Sequence, residues 1–293
     1  RRFSSNSNGL YNTKHIQHAA INKEATNAII YATTYTTTRA IRVKEYQTEG
    51  TTRLQGALTD DSTSAVSKYQ DINVGNRRFI SLLAFELYTV FFMPLPGAIG
   101  YLLRKFYLKR LLGSCGSALI VGRGVTIRHP AKIHLGNNVA VDDYAVLDAK
   151  GESNRGITLG NNVMVGRSTV LSCKDGDIAI GDNSNIAQSC FIQSASNVVV
   201  GEKVLFGAFC YLIGGGDHKS ESTEVPIMDQ GQTVKGINIC NNSWLGASVQ
   251  VLDGTNIGRD AIVGSGSVVT RDVADYTVVA GIPAKKLKDR RES

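Results

Sequence analysis

His218 is the residue of this chain best suited to chemistry. It stands in the run Gly214-Gly215-Gly216-Asp217-His218, and no other histidine follows His134. An imidazole that is neutral near pH 7 can take a proton from a hydroxyl, and a placed base of this kind is worth about 10²–10⁴-fold in rate. The three glycines let the backbone fold tightly ahead of the ring. The other reactive side chains offer less. Cys115, Cys173, Cys190, Cys210 and Cys240 form no Cys-x-x-Cys pair and no metal-ligand spacing, and an odd number of cysteines in a chain of 293 residues reads as reduced and intracellular. A three-histidine metal centre would need His129, His134 and His218 together. The first two lie several repeats away from the third, so no metal is expected.

The elements that must carry His218 are set by a repeat of six. Ile239, Leu245, Val251, Ile257, Val263 and Val269 are spaced by six and all aliphatic, and most of the residues that follow them are small. A helix repeats every 3.6 residues and a strand every two, so neither alone gives this period. It marks a solenoid whose short strands turn a corner every six residues, with one aliphatic per side pointing inward. The same spacing recurs upstream in the triples Leu135, Val141, Leu147; Leu159, Val165, Leu171; Ile180, Ile186, Ile192; and Val200, Phe206, Leu212, with a weaker first triple at Val121, Ile127, Ile133. Three hexads make one triangular coil. About seven coils are expected from 118 to 272, and each needs neighbours to cover its faces.

Departures from the spacing locate insertions. Extra residues lie near 149–155 and 173–177, and a long loop leaves the ladder at 213–237, carrying His218. The Asn pairs at 137/138, 161/162 and 241/242 follow corners, where Asn tolerates left-handed backbone. Residues 1–70 show no period and read as an extension of unknown structure. Residues 71–117 differ. An apolar core from Phe79 to Leu103 contains one acid, Glu86, and is broken by Pro94, Pro96, Gly97 and Gly100. Two short helices are expected there, lying on or dipping into a membrane surface or capping the open end of the solenoid. Residues 273–293 are expected to add a short strand and a basic tail.

The net charge of +7 is uneven. Residues 118–284 hold 12 basic and 16 acidic side chains, residues 71–117 hold six and two, and residues 285–293 hold five and two. An acidic ladder argues against nucleic acid, which would demand a basic stripe along the folded body. The basic flanks suit anionic partners: a lipid surface before the ladder and a polyphosphate cofactor after it.

The stretch 237–285, with Trp244-Leu245-Gly246, Gly264-Ser265-Gly266-Ser267-Val268-Val269-Thr270 and Ala280-Gly281-Ile282-Pro283-Ala284, resembles hexapeptide-repeat acyltransferases, closest to sugar O-acetyltransferases of the galactoside and maltose type. The resemblance covers about 118–288. It implies an all-β fold, a left-handed parallel β-helix, and an acetyl-CoA-dependent transfer to a sugar hydroxyl in surface polysaccharide biosynthesis, by a homotrimer. Apart from the resemblance, a cytoplasmic location is expected, with 77–112 as the segment that could touch the inner face of the membrane. The resemblance assigns His218 as the general base, Trp244 to the cleft, Ala247 and Ser265 to the pantetheine arm, and Thr270 and Arg271 to the cofactor, with Arg in place of a family Lys. Lys285 and Lys288 stand where the family has arginines near the nucleotide phosphates, which keeps the charge and loses the bidentate fork. On the acceptor side, Gln188 replaces a family Asn and Ser196 a family Asp. The alternatives are N-acyl transfer to an amino-sugar nucleotide, a γ-class carbonic anhydrase and a non-catalytic scaffold.

Overall fold

Because the hexads place one aliphatic per side inward, their burial should be complete, and it is. Every member of the triples named above is exposed by 5% or less. Burying each such side chain stabilises the fold by about 1.5–3 kcal/mol. The computed structural model describes residues 44–46 and 61–292. Its body is a parallel β-solenoid with three faces. The first face runs from Ser114–Cys115 to Asn256–Ile257 in seven strands, and the third from Thr126–Arg128 to Val268–Val269 in seven. The second face starts at Ile120–Val121 and reaches nine strands. It continues past Asp272 with Thr277–Ala280, parallel to Ile262–Val263, and ends on Lys285–Asp289, which is antiparallel.

One corner repeats its left-handed turn in coil after coil, with Asn at four of the positions and Lys203 and Asp260 at others. Asn138, Asn162, Asn183 and Asn242 all adopt left-handed backbone, with φ of 55°, 57°, 60° and 60°. Their side chains and those of their neighbours bond rung to rung. The Asn138 amide donates to Asn162 Oδ1 at 3.0 Å and Asn162 to Asn183 Oδ1 at 3.0 Å, while Asn137 donates to Asn161 and Asn161 to Asp182. Asn is used here because it bears the left-handed angle and offers both a donor and an acceptor to the next coil.

Among the described residues, three helices precede the ladder. Helix α1 (Ala65–Asn73) is capped by Ser64, whose hydroxyl accepts from the Ser67 backbone N–H at 3.2 Å. It ends at Gly75, whose φ of +82° suits glycine. A Cβ at Gly75 would lie 2.8 Å from His129 Nδ1, so a larger residue would collide with the first coil. Helix α2 (Phe79–Leu87) runs into a π-helical turn at Tyr88–Phe92, and after Pro94 and Pro96 helix α3 (Gly97–Leu111) returns antiparallel. The inner face of this hairpin closes the first coil. Tyr88 donates its hydroxyl to Val125 O at 2.7 Å, and buried Arg104 donates to Val121 O, Phe92 O and Leu95 O. Among the described residues no helix is long and apolar enough to cross a membrane.

Candidate functional site

The loop carrying His218 is ordered as a hairpin. Asp217–His218 pairs antiparallel with Gln232–Val234, and Lys44–Tyr46 pairs on the other side, which makes a small three-stranded sheet beside the solenoid. Its root is tied to two coils. Ala195 donates its N–H to Gly214 O at 2.7 Å, and the N–H groups of Lys235 and Gly236 bond both carboxylate oxygens of Asp253 at 2.8 and 2.7 Å. His218 is thus fixed to the corner between the third and first faces, with its ring exposed.

In register across the hairpin, Gln232 places its carboxamide nitrogen 2.7 Å from His218 Nε2. An amide N–H can only donate, so in this contact Nε2 is the acceptor and offers its lone pair. That is the form a base requires, and a hydroxyl that displaced the amide would meet the same lone pair. Gln232 carries no signal in the sequence, since its relation to His218 depends on where the hairpin turns.

The remaining candidates fall into two groups. Ser196 lies beside the hairpin root, one residue past Ala195. Thr270 and Arg271 occupy the same corner further along, just beyond Leu252, whose N–H bonds Val269 O. Arg271 shares a groove of about 290 Å³ with Ala284 and Lys286. The other group belongs to the second face and the corner after it. Trp244, 49% exposed, stands in register with Leu205 and Ile262. Ala247 and Ser265 stack in consecutive coils, and Gly266 donates its N–H to Ala247 O at 2.8 Å. Gln188 lies on that corner too, in a groove of about 300 Å³ with Asp142, Arg167 and Asn185. Lys285 and Lys288 sit on the outer strand, in register with Ala280 and Val278. Arg291 there chelates Asp289 at 2.9 and 2.7 Å and holds that carboxyl well below the usual carboxylate range.

Strands of the third face, such as Phe191–Ser194, separate the two groups. A four-residue strand spans about 13 Å, so one chain does not unite His218 with Trp244, Ala247 and Ser265, nor Gln188 with Ser196. The cysteines are placed for packing. Cys173, Cys190 and Cys210 are buried, and burial pushes the Cys173 thiol up. His129 is turned toward α1, and His134 Nδ1 lies 3.0 Å from the Ser114 hydroxyl. Among the described residues no group of three His, Cys, Asp or Glu could hold a metal ion.

Comparison with known proteins gives the same architecture a setting. Residues 236–271 match the bacterial transferase hexapeptide model, which comprises six repeats. A probable acetyltransferase of Mycobacterium tuberculosis is 31% identical over 137 residues, 47% of this chain and 45% of that protein. A putative lipopolysaccharide biosynthesis O-acetyl transferase of Escherichia coli is 31% identical over 119 residues, 39% of this chain and 61% of its own length. A galactoside O-acetyltransferase of Lactococcus lactis is 34% identical over 98 residues, 32% of this chain and 45% of the relative. The chain spans roughly half the length of these curated relatives. With its repeat and its parallel solenoid, this chain resembles the hexapeptide-repeat acyltransferases, O-acetyltransferases among them.

Proposed function

We propose that the protein is a cytoplasmic acetyl-CoA-dependent O-acetyltransferase that acts on a sugar hydroxyl in surface polysaccharide biosynthesis, with His218 as general base. The observation that carries this reading is the His218 hairpin: an exposed imidazole whose Nε2 accepts from Gln232, rooted on a solenoid whose relatives are acetyltransferases. In the reaction, Nε2 takes the hydroxyl proton as the sugar oxygen attacks the thioester carbonyl. The C–S bond breaks, the acetyl group passes to oxygen, and the proton returns to the departing thiolate. Backbone N–H groups stabilise the negative charge on the carbonyl oxygen.

The donor is bound mainly by the second group of residues, with Thr270 and Arg271 of the first group at its nucleotide end. Ala247 and Ser265 present small side chains along a corner where an extended pantetheine arm can lie close to the backbone. Thr270, Arg271, Lys285 and Lys288 supply donors and positive charge for the nucleotide end. Trp244 walls the cleft, and Gln188 and Ser196 face the acceptor. Because the two groups stand on opposite edges of the third face, the complete site forms between neighbouring copies of a trimer, with His218 from one and the pantetheine corner from the next.

The test is thiol release from acetyl-CoA in the presence of hexoses, sugar nucleotides, amino-sugar nucleotides and lipid-linked glycans. Acceptor-dependent release that falls at least about 100-fold in His218→Ala supports the assignment. Unchanged turnover in the variant removes His218 as the base. A preference for an amino-sugar nucleotide makes the reaction N-acyl transfer, and an absence of acetyl-CoA binding makes the chain a scaffold.

A further inference from the structure

The helical hairpin that closes the first coil has a second face that the acyl-transfer reading leaves unused. On α2 and its π-helical turn, Phe79, Ile80, Leu83, Leu87, Val90 and Phe91 are exposed by 37–80%. On α3, Ile99, Leu102, Leu103 and Phe106 are exposed by 38–72%. These positions recur three and four apart, so each helix carries a continuous apolar stripe. Each stripe lies opposite a buried side, where Phe85 packs on Tyr69 of α1 while Tyr88, Arg104 and Leu108 face the solenoid. Soluble monomers rarely leave so large a contiguous apolar patch without a partner.

Charge identifies the partner. The helices run antiparallel, with Tyr107 donating its hydroxyl to Ala84 O at 2.7 Å and the Phe92 and Tyr107 rings 4.5 Å apart. The start of α2 therefore lies at the same end as the finish of α3. That end gathers Arg77, Arg78, Lys109 and Arg110, all exposed, and half-buried Lys105. Arg77 also pairs with Asp71 at 2.7 Å. The one acid within the hairpin, Glu86, accepts a hydrogen bond from Tyr69 at 2.6 Å. The opposite end is the uncharged turn Met93-Pro94-Leu95-Pro96-Gly97. A protein partner would be expected to offer acids confined to one edge, whereas an anionic bilayer offers a plane of negative phosphates above an apolar layer. The apolar stripes match the acyl boundary and the cationic end matches the phosphates. At 14 residues the α2 segment reaches about 21 Å, too short to span the hydrocarbon core and suited to lying within one leaflet.

We infer that residues 77–112 dock the protein on the surface of an anionic phospholipid bilayer, with the outer face of the hairpin at the acyl boundary and the basic end among the phosphates. The experiment is co-sedimentation of the full chain with phosphatidylcholine vesicles that contain about one-third phosphatidylglycerol, against vesicles of phosphatidylcholine alone. Binding to the anionic vesicles that weakens with salt and falls at least about 10-fold in Lys109→Glu/Arg110→Glu is expected. Ile80→Ser/Phe106→Ser should lower binding to both vesicle types, and because these side chains are exposed, its circular dichroism melt should match the wild type. Two results overturn the proposal: no sedimentation with either vesicle, or binding that both double variants leave unchanged. A wild-type protein that ignores vesicles while the Ile80→Ser/Phe106→Ser variant drops to a smaller oligomer in sedimentation velocity would assign the face to a second copy of the chain instead. None of these readouts depends on acyl transfer.

Discussion

At the level of single residues, His218 could be chosen from the sequence because it stands alone after His134 behind three glycines. Gln232 could not, because nothing in a stretch of loop residues says which one will face the ring. The separation of Gln188 from Ser196 follows from the hexads instead: Gln188 comes after the inward Ile186 and Ser196 after the inward Ile192, which puts them at successive corners. His129 gives a pH prediction of its own. It is 8% exposed, its Nε2–H meets Asp71 O at 2.9 Å, and its Nδ1 is buried without a hydrogen-bond partner. Burial drives its pKa below the ordinary histidine value, and the bond to Asp71 offsets this only in part. The unfolded chain therefore takes up this proton at a higher pH than the folded one. The stabilisation is complete above the unfolded histidine range, near about 6.5, and is lost as pH falls through the lower folded value. His129→Asn, which tolerates the left-handed φ of 52° at this position, should show a smaller loss of Tm between about pH 7 and about pH 5 than the wild type. Melts followed by circular dichroism decide this. A second contribution of the same sign persists in the variant from His134, whose pKa burial also lowers.

At the level of elements, the period of six made the ladder legible almost residue by residue. An inward position has one strict requirement, an aliphatic of the right size, and the chain meets it at every hexad. Ile192 illustrates what each position is worth. It is fully buried, between Leu171 and Leu212 in register on the neighbouring strands. Ile192→Ala should cost about 2–5 kcal/mol, since close-packed coils above and below hold the cavity open. Urea unfolding should show this as a lower midpoint. The helical hairpin was legible by another route, a break of Pro and Gly within an apolar run. Its closing role was less so, because Arg104 reads as one more surface cation in the sequence and yet is buried with three carbonyl partners. The extension at 1–70 gave no period to read. Of it, only residues 44–46 and 61–70 belong to the described part of the structure.

For the whole molecule, the division of candidate residues between two edges of one face has a measurable consequence. If each site takes His218 from one copy and the pantetheine corner from its neighbour, damage to either half can be repaired in a mixed assembly. His218→Ala and Ser265→Trp should each be inactive alone. Refolded together in equal amounts, they should regain about a quarter of wild-type turnover, since random mixing reunites two intact halves at that fraction of sites. No recovery, in trimers shown to be mixed by mass spectrometry, would place the whole site within one copy. The outermost strand of the second face bears on a different matter. A parallel ladder ends in unpaired backbone donors and acceptors, and nothing in its geometry forbids another ladder from continuing it. Here that edge is taken up by Lys285–Asp289, which runs backwards and carries three lysines. A backward strand offers no parallel template, and its charges repel an identical edge. The segment that reads as a basic tail therefore also acts as a stop against end-to-end growth into filaments.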